Sequence, residues 1–276
     1  MSTATVNGTN LFYEQIGAGP AALVLHGGLG LDHTPYRGLD ALADQLRLVY
    51  YDHRGNGRSE RVAPDTITMP HLADDAAALA THLDATPAIV IGHSYGGFVA
   101  QELALRHPEH VAALILVDTT PGQLGESEAP GEDQGPPPPA EWLEAVSSAP
   151  RDDAEFAATL RTLLPYYLAD RASLPAVEAA VERTIFDAAT ANRSMEVLAG
   201  WSSADRLSAI RVPTLVVVGH HDRISSPAQA RRIARRIPDA QLVELEHSGH
   251  FPWLEEPERF LGIVREWIGE KLALSR

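Results

Sequence analysis

The stretch Gly92-His93-Ser94-Tyr95-Gly96 decides the fold, because it joins an apolar run at 88–91 to an amphipathic segment at 97–106. An apolar run followed by a helical pattern predicts a strand that turns sharply into a helix. Such a turn exposes the hydroxyl of Ser94, and strand and helix then approach so closely that the residues two positions to each side must be small. The glycines at both ends of the stretch meet this need. We therefore predict that Ser94 is a nucleophile on a strand-to-helix turn.

The same alternation of apolar runs and amphipathic segments extends over most of the chain. Further apolar runs lie at 22–25, 46–51, 111–117, 214–218 and 241–245, and amphipathic segments lie at 72–83, 228–237 and 257–272. Several runs are continuously apolar, which is typical of parallel strands covered on both faces. The segment 6–16 predicts a hairpin around Asn7-Gly8, or a strand that begins just after it. The pattern predicts an α/β fold with a mostly parallel, doubly wound sheet.

One long segment interrupts the alternation and predicts an inserted helical cap. We assign 120–207 to this cap, and 1–119 together with 208–276 to the core domain. The cap opens with a proline- and glycine-rich stretch at 121–139, which we expect to be a mobile edge. Helical patterns follow it at 140–147, 153–164, 176–188 and 194–201.

Composition excludes several classes of protein and of site. The chain has 276 residues, 45% of them apolar, so it can bury one large core. It contains no cysteine, which rules out disulfides, zinc–thiolate sites and a cysteine nucleophile. A net charge of −15 disfavours nucleic acid as a partner. No signal segment or membrane-length apolar run is visible, so we expect a cytoplasmic monomer or homodimer that acts on a small molecule, without contact to a membrane.

Candidate partners for Ser94 follow later strands. Asp222 comes just after the run 214–218, and His250 follows 241–245. Side chains at the carboxyl ends of parallel strands gather at one edge of the sheet. We predict that His250 removes the Ser94 proton and that Asp222 orients the imidazole, with Asp118 as the alternative acid.

A second glycine-rich turn predicts the site that stabilises an oxyanion. His26-Gly27-Gly28-Leu29-Gly30 follows the run 22–25, and we expect the amides of Gly28 and Tyr95 to face the developing charge. His26 is expected to hold this loop in shape by hydrogen bonds, rather than to act as a base. The GKS/T ending of a phosphate loop and an HExxH helix are both missing, so we expect no cofactor and no metal. We assign a structural role to Asp52 and Arg54, which are expected to tie adjacent loops together.

Taken together, these motifs resemble those of the α/β-hydrolase superfamily over nearly the whole chain. The matching blocks are HGGLG at 26–30, YDHRGNGRS at 51–59, GHSYGG at 92–97, VVVGHHD at 216–222 and EHSGHFPWLEEPERF at 246–260. Among subgroups, the chain is most similar to the proline-iminopeptidase-like hydrolases. It departs from them at Leu29, where they usually have proline, and at His93-Ser94-Tyr95, which replaces Gly-Ser-Trp. The Trp-Glu signature of their cap is also missing, which disfavours a peptidase.

The resemblance implies hydrolysis through an acyl-enzyme intermediate, with a small-molecule ester or lactone as the leading substrate class. Alternatives are an aminopeptidase or amidase, a cofactor-free perhydrolase that uses the same three groups, and a ligand receptor without catalysis. Glu196 lies among apolar neighbours, and a partly buried acid there would suit a substrate amine. We expect the substrate contacts to be Leu29, Tyr166, Glu196, Trp201 and Phe251.

Overall fold

A computed structural model of the protein describes residues 2–122, residue 140 and residues 149–274. Within these ranges eight strands form a single sheet. They are β1 (Ser2–Val6), β2 (Thr9–Ile16), β3 (Ala21–Leu25), β4 (Arg47–Tyr51), β5 (Ala88–His93), β6 (Val111–Val117), β7 (Thr214–Gly219) and β8 (Ala240–Leu245). Their order across the sheet is β1-β2-β4-β3-β5-β6-β7-β8.

The sheet is parallel from β4 to β8 and antiparallel at one edge. Strands β1 and β2 form the hairpin predicted around Asn7-Gly8, whose φ angles of 46° and 73° suit a two-residue turn. Strand β2 then pairs antiparallel with β4, and all later neighbours pair in parallel. The prediction of a mostly parallel sheet is therefore confirmed.

Helices cover both faces of this sheet. The α-helices of the described ranges are α1 (Met69–His82), α2 (Tyr95–Arg106), α3 (Asp153–Leu163), α4 (Leu174–Val181), α5 (Ala188–Ala199), α6 (Pro227–Arg236), α7 (Pro252–Glu255) and α8 (Pro257–Leu274). Short 3₁₀ helices lie at Thr34–Leu42, Pro64–Thr66, Pro108–His110, Leu164–Tyr166, Arg171–Ser173 and Leu207–Ala209. None of the helices in this part of the chain is long and apolar enough to cross a membrane.

Strand β3 shows why the apolar runs are continuous. Leu23 and Leu25 pack into the core on one face of the sheet, and Ala22 and Val24 pack into the core on the other. All four side chains are buried, so neither face of the strand can carry polar residues.

The helices α3, α4 and α5 are inserted between β6 and β7, but two helical predictions there are wrong in their bounds. The segment 176–188 is not one helix, because α4 ends at Val181, and the next helix begins at Ala188 rather than at residue 194. Asp187 explains this start, since its carboxylate accepts the N–H of Thr190 at 2.6 Å and its own N–H donates to Gly30 O at 2.8 Å. The predicted helix 140–147 and most of the stretch 121–139 lie outside the described residues.

Candidate active site

Ser94 sits on a strained turn between β5 and α2. Its φ of 50° and ψ of −117° lie outside the regions that residues with a Cβ normally adopt. Hydrogen bonds hold this conformation: Ser94 N–H donates to Val117 O at 3.0 Å, and the hydroxyl of Thr119 donates to Ser94 O at 2.8 Å. The side chain of Ser94 remains partly exposed, as a nucleophile requires.

The flanking glycines are small for the reason that the sequence suggested. A Cβ added to Gly96 would collide with the carbonyl oxygen of Leu25, at the end of β3. A Cβ added to Gly92 would lie 2.6 Å from Gly96 O. Helix α2 therefore begins directly against the carboxyl ends of β3 and β5, and this contact leaves no room for a side chain.

These two strands form the point where the sheet topology reverses. The chain leaves β3 toward β4 on one side, and it leaves β5 toward β6 on the other. The loops that follow β3 and β5 therefore diverge and leave a crevice, which is where open α/β sheets bind their ligands. Ser94 follows β5 at this crevice, and the glycine-rich turn 26–30 follows β3.

The turn 26–30 lies against the strand-to-helix turn. A Cβ on Gly27 would come within 2.7 Å of His93 Nδ1, and Gly28 has a φ of 74°. His26 holds the loop as predicted, because its Nδ1 lies 3.0 Å from Gly27 O and its Nε2 accepts the N–H of His53 at 3.0 Å. Burial lowers the pKa of His26, so the ring is neutral and suited to these two bonds. That the Gly28 and Tyr95 amides share one oxyanion remains a prediction.

Asp222 and His250 meet at the ends of β7 and β8. Asp222 Oδ2 lies 2.8 Å from His250 Nδ1, and both side chains are buried. A carboxylate only accepts, so Nδ1 carries a proton, and in the neutral ring Nε2 keeps its lone pair. Asp222 Oδ1 in turn accepts the N–H groups of Ile224 at 2.7 Å and Ser225 at 3.0 Å. Of the three predicted catalytic residues, Asp222 and His250 are thus joined by a hydrogen bond.

Ser94 and His250 are linked through His93, the residue before Ser94. The hydrogen bonds of the described residues do not include one from Ser94 Oγ to His250 Nε2, a bond that often tightens only around substrate. His93, directly before Ser94, places its ring centroid 4.6 Å from that of His250, and its Nε2 lies 2.8 Å from His250 O. The turn that carries Ser94 is therefore anchored on the loop that carries His250.

A directed chain of hydrogen bonds extends from this anchor, and no sequence pattern predicted it. Because His250 O only accepts, His93 Nε2 is the donor. Burial lowers the pKa of His93 well below its usual value, so the ring is neutral and Nδ1 accepts. The Tyr36 hydroxyl lies 2.7 Å from that Nδ1 and itself accepts the N–H of Gly27 at 2.6 Å. Three loops of the candidate site are thus joined through the side chains of Tyr36 and His93.

Structural roles are confirmed for the block 52–59. Arg54 makes a two-pronged ion pair with Asp75 on α1, with both N···O distances at 2.6 Å. Asp52 accepts the N–H of Arg58 at 2.8 Å and that of His33 at 3.1 Å. The pKa of Asp52 lies at about 2, because its bonds to His33 outweigh the opposing effect of burial. The contacts of Asp52 tie the loops after β3 and β4 together as predicted, whereas Arg54 ties the loop after β4 to helix α1 rather than to another loop.

The residues predicted to contact the substrate differ in their burial and in their partners. Leu29 is half-buried in the turn 26–30, and Tyr166 is half-buried at the end of a 3₁₀ helix. Trp201 is buried, and its indole N–H donates to Glu102 at 2.9 Å. Phe251 is buried between His93 and Trp253.

For Glu196, the expectation of a partly buried acid is wrong. Its side chain is 68% exposed and pairs with Arg193, one turn away on the outer face of α5, at 3.0 Å. Of the apolar neighbours that suggested burial, Val197 and Leu198 pack against the core, whereas Met195 is itself exposed.

Tyr167 is a contact that sequence reasoning passed over in favour of Tyr166. Its ring packs edge-on against His250 at 5.3 Å, and its carbonyl oxygen accepts the N–H of His250 at 2.6 Å. Its ring also stacks on Phe251 at 5.9 Å. Tyr166 is the last residue of a short 3₁₀ helix and Tyr167 is its C-cap, and the folded structure was needed to show that Tyr167 packs against the base.

Among the described residues, two separate clusters contain side chains that could bind a metal ion. His107, Glu109 and His110 form a group at the far end of α2, where Asp74 lies 2.7 Å from His107 Nε2 and Glu109 lies 3.1 Å from His110 Nδ1. These hydrogen bonds account for the arrangement of the surface group. The other group is Asp118, Asp222 and His250, within the candidate site itself.

Comparisons with known proteins agree with this fold. A sequence model of the alpha/beta hydrolase fold family matches residues 20–257. A proline iminopeptidase of Pestalotiopsis fici is 29% identical, over 95% of this chain and 97% of its own length. A thermophilic esterase from Thermogutta terrifontis is 29% identical with a TM-score of 0.77, covering 98% of this chain and 97% of that one. The enol-lactonase from Burkholderia xenovorans LB400 is 25% identical with a TM-score of 0.76, covering 97% and 100%.

Proposed function

Because the chain belongs to the α/β-hydrolase fold family, we propose that it is a serine hydrolase that cleaves a small-molecule ester or lactone through an acyl-enzyme intermediate. The family and the relatives make the chain a hydrolase of this fold, and the serine mechanism is the proposal. The observation that carries it is the 2.8 Å hydrogen bond from His250 Nδ1 to Asp222, which leaves Nε2 free to accept a proton. Ser94 leaves β5 at the same edge of the sheet.

In the proposed reaction Ser94 Oγ attacks the carbonyl carbon while His250 Nε2 takes the hydroxyl proton. Asp222 accepts from Nδ1–H throughout and stabilises the imidazolium that forms. When the tetrahedral intermediate collapses, the bond to the leaving oxygen breaks and His250 returns the proton to that oxygen. Water then attacks the acyl-enzyme by the same route and releases the acid.

The developing oxyanion would be stabilised by the amides of Gly28 and Tyr95. Tyr95 is the first residue of α2, so its N–H is one of those that an α-helix leaves without an internal partner. Gly28 lies in the turn that packs against His93. Preorganised donors of this kind are worth about 3–4 kcal/mol each in the transition state.

The inserted helices α3–α5 are proposed to cap the site, in agreement with the domain division expected from the sequence. Three hydrogen bonds support this role. Tyr167 O accepts from His250 N–H, Asp187 N–H donates to Gly30 O, and the hydroxyl of Thr190 donates to Gly55 O at 3.0 Å. The segment therefore reaches the loops that follow β8, β3 and β4.

Exposure of three inserted glutamates favours an ester or lactone over a substrate with a free amine. Glu178, Glu182 and Glu196 all have exposed side chains. A carboxylate that selects an ammonium group must be held in the pocket and shielded from water. The similarity to a proline iminopeptidase keeps an aminopeptidase as the second candidate.

Covalent labelling tests the nucleophile. A fluorophosphonate probe is expected to label the wild-type protein and the control Ser208→Ala, since Ser208 is exposed on a 3₁₀ helix far along the chain from β5. It should not label Ser94→Ala, whose kcat for an ester should fall by about 10⁴ to 10⁶. Labelling that persists in Ser94→Ala would overturn the assignment.

A further inference from the structure

Asp118 directly follows β6 and is completely buried, although it carries a carboxyl group. Its φ of 44° lies in the left-handed region, which costs energy for a residue with a Cβ. The backbone N–H of Asp118 donates to Val217 O at 2.9 Å, and its Oδ1 accepts the N–H of Gly219 at 2.8 Å. The side chain is thus fixed between the ends of β6 and β7, beside the acid–base pair.

The other carboxyl oxygen of Asp118 has no donor. In the part of the chain that the structure describes, no N–H or hydroxyl group donates to its Oδ2. One oxygen of Asp118, one oxygen of Asp222 and a ring nitrogen of His250 all lie within 4.8 Å of one another. A buried carboxylate oxygen without a donor is costly, whereas a protonated one can itself donate.

The two neighbouring carboxyl groups compete for one negative charge. Buried carboxylates this close do not both ionise. Asp222 accepts from Ile224 N–H, Ser225 N–H and His250 Nδ1–H, whereas Asp118 accepts a single N–H. Burial and the charge of Asp222 raise the pKa of Asp118 well above its usual value. Burial acts on Asp222 as well, but His250 and the two N–H groups outweigh it and lower the pKa of Asp222.

We propose that Asp118 is a positioning residue whose protonated carboxyl group donates a hydrogen bond from Oδ2 to the Asp222 carboxylate. The proposal rests on the proposed function, in which Asp222 orients His250. The pair carries a single negative charge, and the added bond holds Asp222 with Oδ2 toward His250 Nδ1. Among the described residues, the hydrogen bonds of Asp118 include none to His250 or to Ser94, so we place its action at Asp222.

Infrared spectroscopy tests the protonation directly and needs no activity. The difference spectrum of wild type minus Asp118→Asn at neutral pH is expected to show the carbonyl stretch of one protonated carboxyl group. Asparagine tolerates the left-handed backbone and offers an amide N–H in place of the O–H, so this variant should fold. The same difference spectrum in a Ser94→Ala background separates this result from the chemistry. Absence of the band would overturn the proposal, even if Ser94 proves to be the nucleophile.

Kinetics then test the positioning. Asp118→Asn keeps a donor toward Asp222, so kcat/KM for an ester is expected to stay within about threefold of wild type. Asp118→Gly suits the positive φ but removes the donor, and its kcat should fall at least about tenfold. Equal activity of the two variants would contradict the positioning role. Circular dichroism confirms that each variant is folded, and if the glycine variant is not, the infrared band still decides.

A pH profile separates positioning from general support of the fold. Without the donor the Asp222 carboxylate holds more negative charge, which favours protonated His250, so the acidic limb of kcat/KM should move up by roughly half a pH unit in Asp118→Gly. The other titratable groups that act on Asp118 are Glu255 and Tyr36, and both remain in these variants. A loss of activity in Asp118→Gly without a shifted limb would contradict the proposed bond to Asp222.

Discussion

At the level of single residues, Tyr36 is the joint of the hydrogen-bond chain that links three loops of the site. Its hydroxyl accepts from Gly27 N–H and lies 2.7 Å from His93 Nδ1, and all three groups are buried or nearly so. Removing this oxygen leaves one buried donor and one buried acceptor unpaired. We therefore expect Tyr36→Phe to lower the free energy of unfolding by about 2–4 kcal/mol, measured by urea denaturation.

Tyr13→Phe is the matched control, since Tyr13 lies on β2, is only partly buried and makes no side-chain hydrogen bond in the described structure. Its unfolding free energy should change by less than about 0.5 kcal/mol. Equal stability of the two variants would show that the chain through Tyr36 contributes nothing. A fall in kcat of Tyr36→Phe without a fall in stability would instead assign the chain to orientation of the site alone.

Sequence reasoning finds residues whose role is local and misses those whose role depends on packing. Ser94, Asp222 and His250 each follow an apolar run, so the rule that polar side chains after parallel strands share an edge was enough to select them. The role of Tyr36 depends on a loop about nine residues before it and a strand far along the chain, which no local pattern encodes. Asp118 was recognised as an acid after a strand, but its burial beside Asp222 required the three-dimensional structure.

At the level of elements, the contact between the turn 26–30 and helix α5 depends on the lack of a side chain at Gly30. A Cβ there would collide with Asp187 O and lie 2.9 Å from the Cβ of Ala191. Gly30→Ala should therefore push the start of α5 away from the turn that carries Gly28. We expect the free energy of unfolding to fall by about 2–4 kcal/mol, with a loss of esterase activity, because backbone strain and overpacking act together.

Gly8→Ala is an internal control for this substitution. Gly8 and Gly30 share a φ of 73°, but a Cβ on Gly8 would meet no atom within 4 Å. The loss in Gly8→Ala should therefore reflect backbone strain alone, about 1 kcal/mol. If both variants lose the same stability, the contact between the turn and α5 is not tight, and the proposed cap loses one of its supports.

The bounds of the inserted helices show which helix ends can be predicted from sequence and which cannot. The predicted helix 153–164 agrees with α3 within one residue, because Asp152 is a local cap whose carboxylate accepts the N–H of Glu155. The start of α5 depends in part on Gly30, more than 150 residues earlier in the chain, so periodicity placed it six residues too late. The core helices and strands were predicted to within a few residues. Strands that are buried on both faces have a continuous apolar sequence, and this pattern is local.

At the level of the whole molecule, the proposed function predicts the substrate preference. Short-chain p-nitrophenyl esters or lactones should be cleaved with kcat/KM at least about tenfold above prolyl and other aminoacyl p-nitroanilides, a difference of about 1.4 kcal/mol. Anilides are intrinsically harder to cleave, so prolyl and acetyl-prolyl β-naphthyl esters give the cleaner comparison. A strong preference for the prolyl ester with the free amine would establish an aminopeptidase and exclude the proposed ester or lactone substrate.

Buried histidines predict how stability depends on pH. Burial lowers the pKa of His26, His53 and His93, so the folded protein keeps these rings neutral. In the unfolded chain they take up protons below a pKa of about 6.5, which makes stability fall as pH falls. Asp118 acts in the opposite direction, because it is protonated in the folded state and ionised in the unfolded one. Glu255, whose pKa burial raises, opposes the histidines in the same way. The three histidines still outnumber these two carboxyl groups, so the free energy of unfolding is expected to fall from roughly pH 6 to pH 5, by at most about 3 kcal/mol per pH unit.

Urea denaturation across this range tests the slope, and two histidine variants test its origin. His53→Phe retains the ring contacts with Tyr51 and Tyr95 but removes one titrating group, so its slope should be smaller by about 1.4 kcal/mol per pH unit. His82→Gln replaces an exposed histidine at the end of α1 and should leave the slope unchanged. The sign follows from proton counting: stability rises with pH wherever the unfolded state binds more protons. A free energy of unfolding that stays constant from pH 6 to about pH 5 would mean that the folded protein binds as many protons as the unfolded chain over this range, which would contradict three rings held neutral by burial.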